Sequence, residues 1–221
     1  DKVAGVHCQS GGNALYLAFE LIKKFWDSKN VYLSSPTWPI HNQMAKFHGF
    51  NVRTYPYYDA AANCFDYEGM IAGISIIEPG AVLLIQPCGQ NPTGYDPSKE
   101  QWSRIIDLLV ERNIFVIFDT AYYGFATGDL DNDAYAIRLL AERGARFVIT
   151  QSYSKNFGLY SARVGFIAAI CDSAQEKQAY EAHIRLASLA LLSKPSTVGS
   201  EIIKTVISDD KLYATWVHDL Q

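Results

Sequence analysis

The sequence predicts an α/β domain built on a mixed, mostly parallel β-sheet that is flanked by helices. Two observations lead to this prediction. Short apolar segments rich in β-branched residues recur along the chain, and segments with apolar residues at helical spacing alternate with them. Such alternation is typical of parallel strands joined by helical crossovers. A length of 221 residues with 49% hydrophobic residues suits one domain with a sizeable core.

The first half of the chain is predicted to contain one long helix and three strands. Residues 13–28 carry apolar side chains at helical spacing, and the segments VYLSS (31–35) and FNVRTYPY (50–57) follow as strands. The segment AVLLIQP (81–87) is almost entirely apolar, which indicates a strand that is buried on both faces of the sheet.

The second half of the chain continues the alternation. Residues 98–113 form an amphipathic helix with Ser98 as its N-cap, and the apolar segment 114–119 follows as a strand that ends in an acid. A helix over residues 133–144 closes on Gly144, because glycine readily adopts the left-handed conformation that ends helices. Two further strands, residues 146–150 and 164–170, enclose a polar segment that contains Lys155.

Composition and charge argue against several classes of partner. The net charge is −4, so neither nucleic acid nor a membrane surface is an expected partner. Cys8, Cys64, Cys88 and Cys171 are scattered without a CxxC pair, which indicates reduced thiols and predicts no metal site. We therefore expect an intracellular protein, either cytoplasmic or mitochondrial. No membrane-length apolar run or signal peptide is visible, and because the chain begins at Asp1 we expect a piece of a longer protein.

Polar side chains follow the predicted strands at the points where these strands end. Each has a commoner structural explanation when it stands alone, such as a turn former or a packing residue. Ligands bind beyond the carboxyl ends of strands in sheets of this kind, so the joint occurrence of these residues predicts a shared site. In chain order the strand-end residues are Trp38, His41, Asn91, Asp119, Tyr122, Ser152 and Lys155.

One cofactor, pyridoxal 5'-phosphate, would use residues of all these types. It needs a lysine for a Schiff base, an acid beside its pyridine nitrogen, donors to its phenolic oxygen, a flat partner for its ring and a phosphate site. Lys155 would supply the amine, Asp119 the acid and Trp38 the flat partner. The donors to the phenolic oxygen would be Asn91 and Tyr122. The phosphate site, at glycines that precede a helix and beside an arginine, would comprise Ser10, Gly11, Gly12, Ser152 and Arg163.

Several segments resemble class I aminotransferases, and specifically aspartate aminotransferases. SYSKNFGLY, followed by ARVG, is similar to the segment that carries the cofactor lysine of the family. NPTGYDP, SSPTWPIHN and FDTAYYGFATGDLDNDAYAIR are similar to other family segments. The resemblance covers essentially the whole chain. It implies that residues 1–221 form a fold-type I large domain with a seven-stranded mixed sheet, and that an N-terminal segment and a C-terminal small domain lie outside this chain. It also implies a homodimer with active sites at the subunit interface.

The resemblance further implies an activity and roles for individual residues. The implied reaction is reversible amino transfer between L-aspartate and 2-oxoglutarate by a ping-pong mechanism. Lys155, Asp119 and Tyr122 are the implied catalytic residues, and Lys155 acts as general base and acid. His41 is implied to lie behind Asp119. The residues implied to contact the substrate as well as the cofactor are Trp38 and Asn91.

Two positions depart from the family pattern. Gly12 stands where the family has a threonine, which removes one hydroxyl from the phosphate site. An ungapped count from Lys155 places Leu189 where the family has an arginine, which reaches the partner subunit and binds the side-chain carboxylate of the substrate. The resemblance implies a helix at this position, on which Arg185 lies one turn earlier, and Arg185 would take this role only after a local shift. Its commoner role would be a solvated helical charge.

The departure at Leu189 keeps alternative functions open. An aminotransferase of aromatic or aliphatic amino acids is the alternative that an apolar residue at this position favours. A second alternative is an aminotransferase-like subunit retained for assembly. The joint presence of Lys155 and Asp119 at buried strand ends argues against a chain released from catalysis. A dinucleotide-binding protein is disfavoured because no GxGxxG follows a strand.

Overall fold

The computed structural model describes residues 2–221, which form nine strands and nine helices. The strands are β1 (Val3–Cys8), β2 (Asn30–Ser35), β3 (Asn51–Pro56), β4 (Tyr58–Asp59), β5 (Cys64–Phe65), β6 (Val82–Ile85), β7 (Phe115–Thr120), β8 (Phe147–Ser152) and β9 (Gly165–Ile170). The helices are α1 (Gly11–Phe25), α2 (Pro39–Phe47), α3 (Tyr67–Ser75), α4 (Lys99–Glu111), α5 (Leu130–Asp133), α6 (Tyr135–Glu142), α7 (Ala174–Leu192), α8 (Val198–Ser208) and α9 (Asp210–Asp219).

Seven strands form one mixed sheet in the order β1-β9-β8-β7-β6-β2-β3, and β4 and β5 form a separate hairpin. Strand β9 runs antiparallel to both of its neighbours, and every other adjacent pair is parallel. Six strands therefore end at one edge of the sheet, where β9 begins. This confirms the predicted mostly parallel mixed sheet, and it explains why polar residues that are distant in sequence meet at one edge.

Both faces of the sheet are covered. Along β7, Phe115 and Ile117 belong to a core shared with α1 and α7, whereas Val116 and Phe118 belong to a second core shared with α3, α4 and α6. The alternation follows from the two-residue period of a strand. It explains why β7 is apolar at successive positions and why all six of its residues are buried.

The predicted elements are present with shifted ends. Helix α1 begins at Gly11, two residues earlier than predicted, because the Ser10 side chain caps it by accepting from the Asn13 N–H. Ser98 caps α4 as predicted, within a capping box completed by Gln101. The predicted helix 133–144 corresponds to α6, and Asp133 instead ends the short helix α5. The Asp133 carboxylate is buried and accepts from the backbone of the preceding loop.

Several elements were not predicted from the sequence: β1, α2, α3, the β4–β5 hairpin, α5, α8 and α9. Among residues 2–221, no helix combines the length and apolar character needed to cross a membrane.

Candidate active site

A cavity of about 220 Å³ lies at the edge of the sheet where the parallel strands end. Eight of the predicted site residues line it. They are contributed by α1, by the segments that follow β2 and β6, and by the ends of β7 and β8 with the loops after them. Its full lining is Gly11, Gly12, Trp38, Gln86, Asn91, Asp119, Ala121, Tyr122, Ser152, Lys155 and Tyr160.

The acid of the site, Asp119, is held by two buried side chains. Its Oδ2 lies 2.9 Å from Nε2 of His41, and its Oδ1 accepts from the Thr150 hydroxyl at 2.8 Å. Asp119 is 6% exposed, and His41 and Thr150 are fully buried. These partners fix the carboxylate and leave lone pairs on both of its oxygens for a further donor.

The hydrogen bonds of His41 define its role behind Asp119. An ionised carboxylate only accepts hydrogen bonds, so Nε2 of His41 is the donor to Asp119. Nδ1 then accepts from the hydroxyl of Thr37, 2.7 Å away, in the neutral imidazole. His41 does not line the cavity, and its contact with Asp119 matches the position predicted for it.

The amine of Lys155 lies near two tyrosine rings. Lys155 lies in the turn of residues 154–157 after β8 and is half-buried. Its Nζ is 5.1 Å from the ring centroid of Tyr122 and 5.7 Å from that of Tyr160. The faces of phenol rings attract an ammonium group at such distances. The sequence did not single out Tyr160, which lines the same cavity.

The Asn91 turn is held from both sides. The Asn91 N–H donates to Oε1 of Gln86 at 3.0 Å, and Gln86 also lines the cavity. The Asp96 carboxylate accepts from the Gly89 N–H at 2.6 Å and from the Gln90 N–H at 3.1 Å. Burial raises the pKa of the Asp96 carboxyl, and these two hydrogen bonds act in the opposite direction.

Close packing joins the Asn91 turn to Tyr122. A Cβ atom placed on Gly89 would lie 2.7 Å from Cβ of Tyr122, and Gly89 has a φ of +58°. Only glycine meets both conditions without strain. The two predicted donors to the phenolic oxygen, Asn91 and Tyr122, therefore lie on segments in direct contact.

The start of α1 is shaped by two glycines in different surroundings. A Cβ atom on Gly11 would lie 2.6 Å from Cβ of Ser152, so a side chain there would displace the end of β8. At Gly12 the nearest atom to such a Cβ is the Ser10 Oγ, 3.9 Å away, so that position faces open space. The amides of both glycines precede the first intrahelical bond, from Ala14 N–H to the Ser10 carbonyl, and are available to an anion.

Two residues predicted for the phosphate site do not line the cavity. Ser10 is the N-cap of α1, directly before the lining residue Gly11. Arg163 is exposed, and its Nη1 donates to the backbone carbonyl of Tyr160 at 2.9 Å. Its guanidinium also lies 5.9 Å from the Tyr160 ring, which itself lines the cavity. A phosphate contact by Arg163 stays a prediction.

The residues around the cavity fit pyridoxal phosphate. A primary amine, a buried carboxylate held by histidine, an amide, a phenol and an indole meet in one space. The close approach of Gly11 to Ser152 brings unpaired helix amides to the same space. Lys155, Asp119 and Trp38 are the groups that would hold the aldehyde carbon, the pyridine nitrogen and the ring of the cofactor.

The fold and the cavity define a class of protein, and comparison with known proteins identifies it. The family model for class I and II aminotransferases matches residues 1–221. The chain belongs to this family, whose class I members depend on pyridoxal phosphate.

Within the family, relatives of several substrate types are similar to this chain. A chloroplastic aspartate aminotransferase of Arabidopsis thaliana is 38% identical over all of this chain and 49% of its own length. A broad-specificity aminotransferase from Leishmania mexicana superposes with a TM-score of 0.96 at 36% identity, over 99% of this chain and 55% of that one. An aromatic-amino-acid aminotransferase from Burkholderia pseudomallei, covalently bound to pyridoxal phosphate, gives 0.94 at 32%, with 99% and 55% covered. The chain thus spans about half the length of these proteins.

Proposed function

We propose that residues 1–221 are the cofactor-binding large domain of a pyridoxal-phosphate aminotransferase that exchanges an amino group between L-aspartate and 2-oxoglutarate by a ping-pong mechanism. The observation that carries this proposal is the meeting of Lys155, Asp119 and Tyr122 in one cavity at the carboxyl ends of the strands. Such a group of side chains is typical of functional sites, because ionisable groups are costly to place at a buried edge and cluster where a ligand uses them.

Each side chain has a physical task in this reaction. When bound, pyridoxal phosphate supplies an aldehyde for covalent attachment and a ring that withdraws electrons from the reacting bond. Asp119 presents a fixed negative charge to the pyridine nitrogen, and His41 and Thr150 prevent it from turning away. Preorganised charge of this kind favours the transition state without further reorganisation.

Proton transfer is assigned to Nζ of Lys155. Its side chain reaches the cavity from a turn, so the amine can hold the cofactor and afterwards take a proton from the substrate and return it. The Tyr122 ring lies beside Nζ, and its hydroxyl together with the Asn91 amide would donate to the phenolic oxygen. Trp38 would stack on the cofactor ring, and with Asn91 it would also border the substrate.

The substrate preference has a second candidate. Leu189 and Arg185 both lie on α7, where Leu189 is 53% exposed and Arg185 is exposed as well. An apolar residue at position 189 favours an aromatic or aliphatic amino acid, and a neighbour named for aromatic amino acids supports this alternative. Aspartate stays the first proposal because relatives named aspartate aminotransferase match the whole chain.

The proposed partners are amino acids, 2-oxo acids and a second copy of the chain. A homodimer with shared active sites is supported by a group of exposed apolar side chains on α7 and α8: Leu186, Leu189, Leu191, Val198 and Ile202. An intracellular location is supported by the four cysteines, which are free thiols. Cytoplasm and mitochondrion both provide such an environment and remain the proposed compartments.

A transamination assay on the full-length protein tests the proposed function. With aspartate as donor and 2-oxoglutarate as acceptor, glutamate should form, and phenylalanine and leucine should be compared as donors. Lys155→Ala should leave the fold largely intact and stop turnover with every donor. Undiminished glutamate formation in Lys155→Ala would contradict the proposal, as would a full-length protein that transfers no amino group from any of the three donors.

A further inference from the structure

Trp216, on helix α9, contacts the turn that carries Lys155. The indole Nε1–H of Trp216 donates to the backbone carbonyl of Asn156 at 2.7 Å. Its ring stacks on Phe157, with ring centroids 4.4 Å apart and an interplanar angle of 23°. Both partners belong to the turn of residues 154–157, here called the lysine turn.

The lysine turn is joined at the same point to the segment that carries Tyr122. This segment, residues 121–129, is here called the tyrosine loop. Asn156 is 4% exposed, and its Nδ2 donates to the backbone carbonyl of Tyr123 at 3.1 Å. Asn156 thus accepts from α9 with its backbone, holds the tyrosine loop with its side chain, and follows Lys155 directly in the chain.

The end of α9 makes a second contact with the tyrosine loop. Leu220 is buried, and a Cβ atom on Gly124 would lie only 2.8 Å from its Cδ1. Gly124 has a φ of +93°, so the loop adopts a conformation that glycine permits and packs against Leu220 without a side chain between them. None of the residues from Asp210 to Asp219 is fully buried. Trp216 and Leu220 therefore anchor α9 on the two segments that carry Lys155 and Tyr122.

We propose that Trp216 is a positioning residue for Lys155. The Lys155 side chain has four rotatable bonds, so the place of its Nζ depends on how firmly the turn is held. Catalytic groups require such support, because a small displacement of the reacting atom slows the reaction strongly. The hydrogen bond from Trp216 fixes the carbonyl next to Lys155, and the stack on Phe157 fixes the other side of the turn. The proposal rests on the proposed role of Lys155 as the cofactor lysine.

The chain offers a matched control for a test of Trp216. Trp26 also donates its indole N–H to a backbone carbonyl, that of Gly80, at 2.6 Å, and its ring packs on Phe115 with centroids 4.7 Å apart. It lies after α1 at the opposite edge of the sheet, before the start of β6 and β7. Trp216→Phe and Trp26→Phe each remove one indole hydrogen bond and retain an aromatic ring, so they should destabilise the fold by similar amounts.

Two measurements on the full-length protein separate positioning from stability. The first is amide hydrogen exchange of the cofactor-free protein, which does not depend on the function proposed for Lys155. Trp216→Phe should speed exchange in the lysine turn and around Tyr123, and Trp26→Phe should not. The second is the pH midpoint of the visible absorption of the bound cofactor. It should move by at least about 0.3 unit in Trp216→Phe, equivalent to a twofold change in an equilibrium constant, and stay in place in Trp26→Phe.

The affinity for the cofactor should also fall in Trp216→Phe and stay unchanged in Trp26→Phe. Loss of this partly buried hydrogen bond corresponds to about a 2- to 10-fold weaker binding in Trp216→Phe. Unchanged exchange in the lysine turn of Trp216→Phe would overturn the proposal, as would equal changes in both variants. If the wild-type protein shows no visible cofactor absorption at all, the proposed function fails, and the exchange experiment still decides whether Trp216 holds the lysine turn.

Discussion

Position 12 offers a test of the phosphate site. Two substitutions there should rank differently in the melting temperature of the cofactor-free protein and in the affinity for the cofactor. Gly12 lies in the first turn of α1, its φ is outside the left-handed region, and the nearest atom to an added Cβ is 3.9 Å away. A side chain should therefore fit. Gly12→Thr would add a hydroxyl beside the unpaired amides of the helix start, and Gly12→Ala would add only the Cβ.

The two substitutions should separate helix stability from cofactor binding. Replacement of a helical glycine by alanine stabilises by about 0.5–1 kcal/mol, and threonine has a lower helix propensity than alanine. The melting temperature of the cofactor-free protein should therefore rise more for Gly12→Ala than for Gly12→Thr. A hydrogen bond to a charged group contributes about 1.5–3 kcal/mol, so at the lower value Gly12→Thr should bind pyridoxal phosphate about tenfold more tightly.

The assay is a titration of cofactor-free, full-length protein with pyridoxal phosphate, together with thermal unfolding of each variant. Gly11→Ala is the control at the neighbouring position, because its Cβ would lie 2.6 Å from Cβ of Ser152. It should destabilise the protein by about 1–3 kcal/mol through overpacking and weaken cofactor binding. Two results would refute a phosphate site at this helix end. One is a gain in cofactor affinity in Gly12→Ala as large as the gain in Gly12→Thr, and the other is no gain in cofactor affinity in Gly12→Thr.

Three further predictions concern the acid, the substrate and pH. Asp119→Ala should lower the transamination rate by several orders of magnitude and Asp119→Glu by less, because the charge against the pyridine nitrogen is lost or only displaced; near-normal activity in Asp119→Ala would make the proposed cofactor orientation wrong. Leu189→Arg should raise kcat/KM for aspartate by at least about tenfold and lower it for phenylalanine or leucine. If Arg185 already binds the distal carboxylate, Arg185→Ala destroys the aspartate preference and Leu189→Arg does little. Burial acts to raise the pKa of the Glu176 carboxyl, but hydrogen bonds from the Asp172 amide, Tyr180 and Arg146 lower this pKa below its usual 4.5 overall. The stabilisation by Glu176 is thus present above pH 4.5 and is lost as the pH falls through the folded-state pKa. Glu176→Gln should therefore lower the melting temperature at pH 7, and its difference from the wild type should shrink as the pH is lowered below 4.5.

The strand ends were predictable from the sequence because the sheet is mostly parallel. Apolar segments such as residues 81–87 and 114–119 identify buried strands. Because these strands are parallel, their carboxyl ends lie at one edge of the sheet, independently of the positions of the connecting helices. The sequence alone therefore assigns Asn91, Asp119 and Lys155 to one site, and the three residues line one cavity.

Contacts between distant segments were not predictable from the same patterns. Trp216 lies 60 residues from Asn156, and no local pattern links the two. Gln86 and Tyr160 also line the cavity. Gln86 directly follows β6 and Tyr160 lies in the loop between β8 and β9, where residue spacing does not determine the direction of a side chain. Asp133 belongs to α5 and not to the predicted helix, and its carboxylate accepts from the backbone of Gly124 and Ala126, a contact that no local pattern indicates.

The central claim is that Lys155 binds pyridoxal phosphate covalently, and reductive trapping tests it most directly. Full-length protein loaded with cofactor is reduced with borohydride, digested and analysed by peptide mass spectrometry. The structure predicts one modified peptide, containing Lys155, because this lysine lines the cavity together with Asp119 and Tyr122. An adduct on another lysine, or no adduct with the cofactor in excess, would contradict the claim.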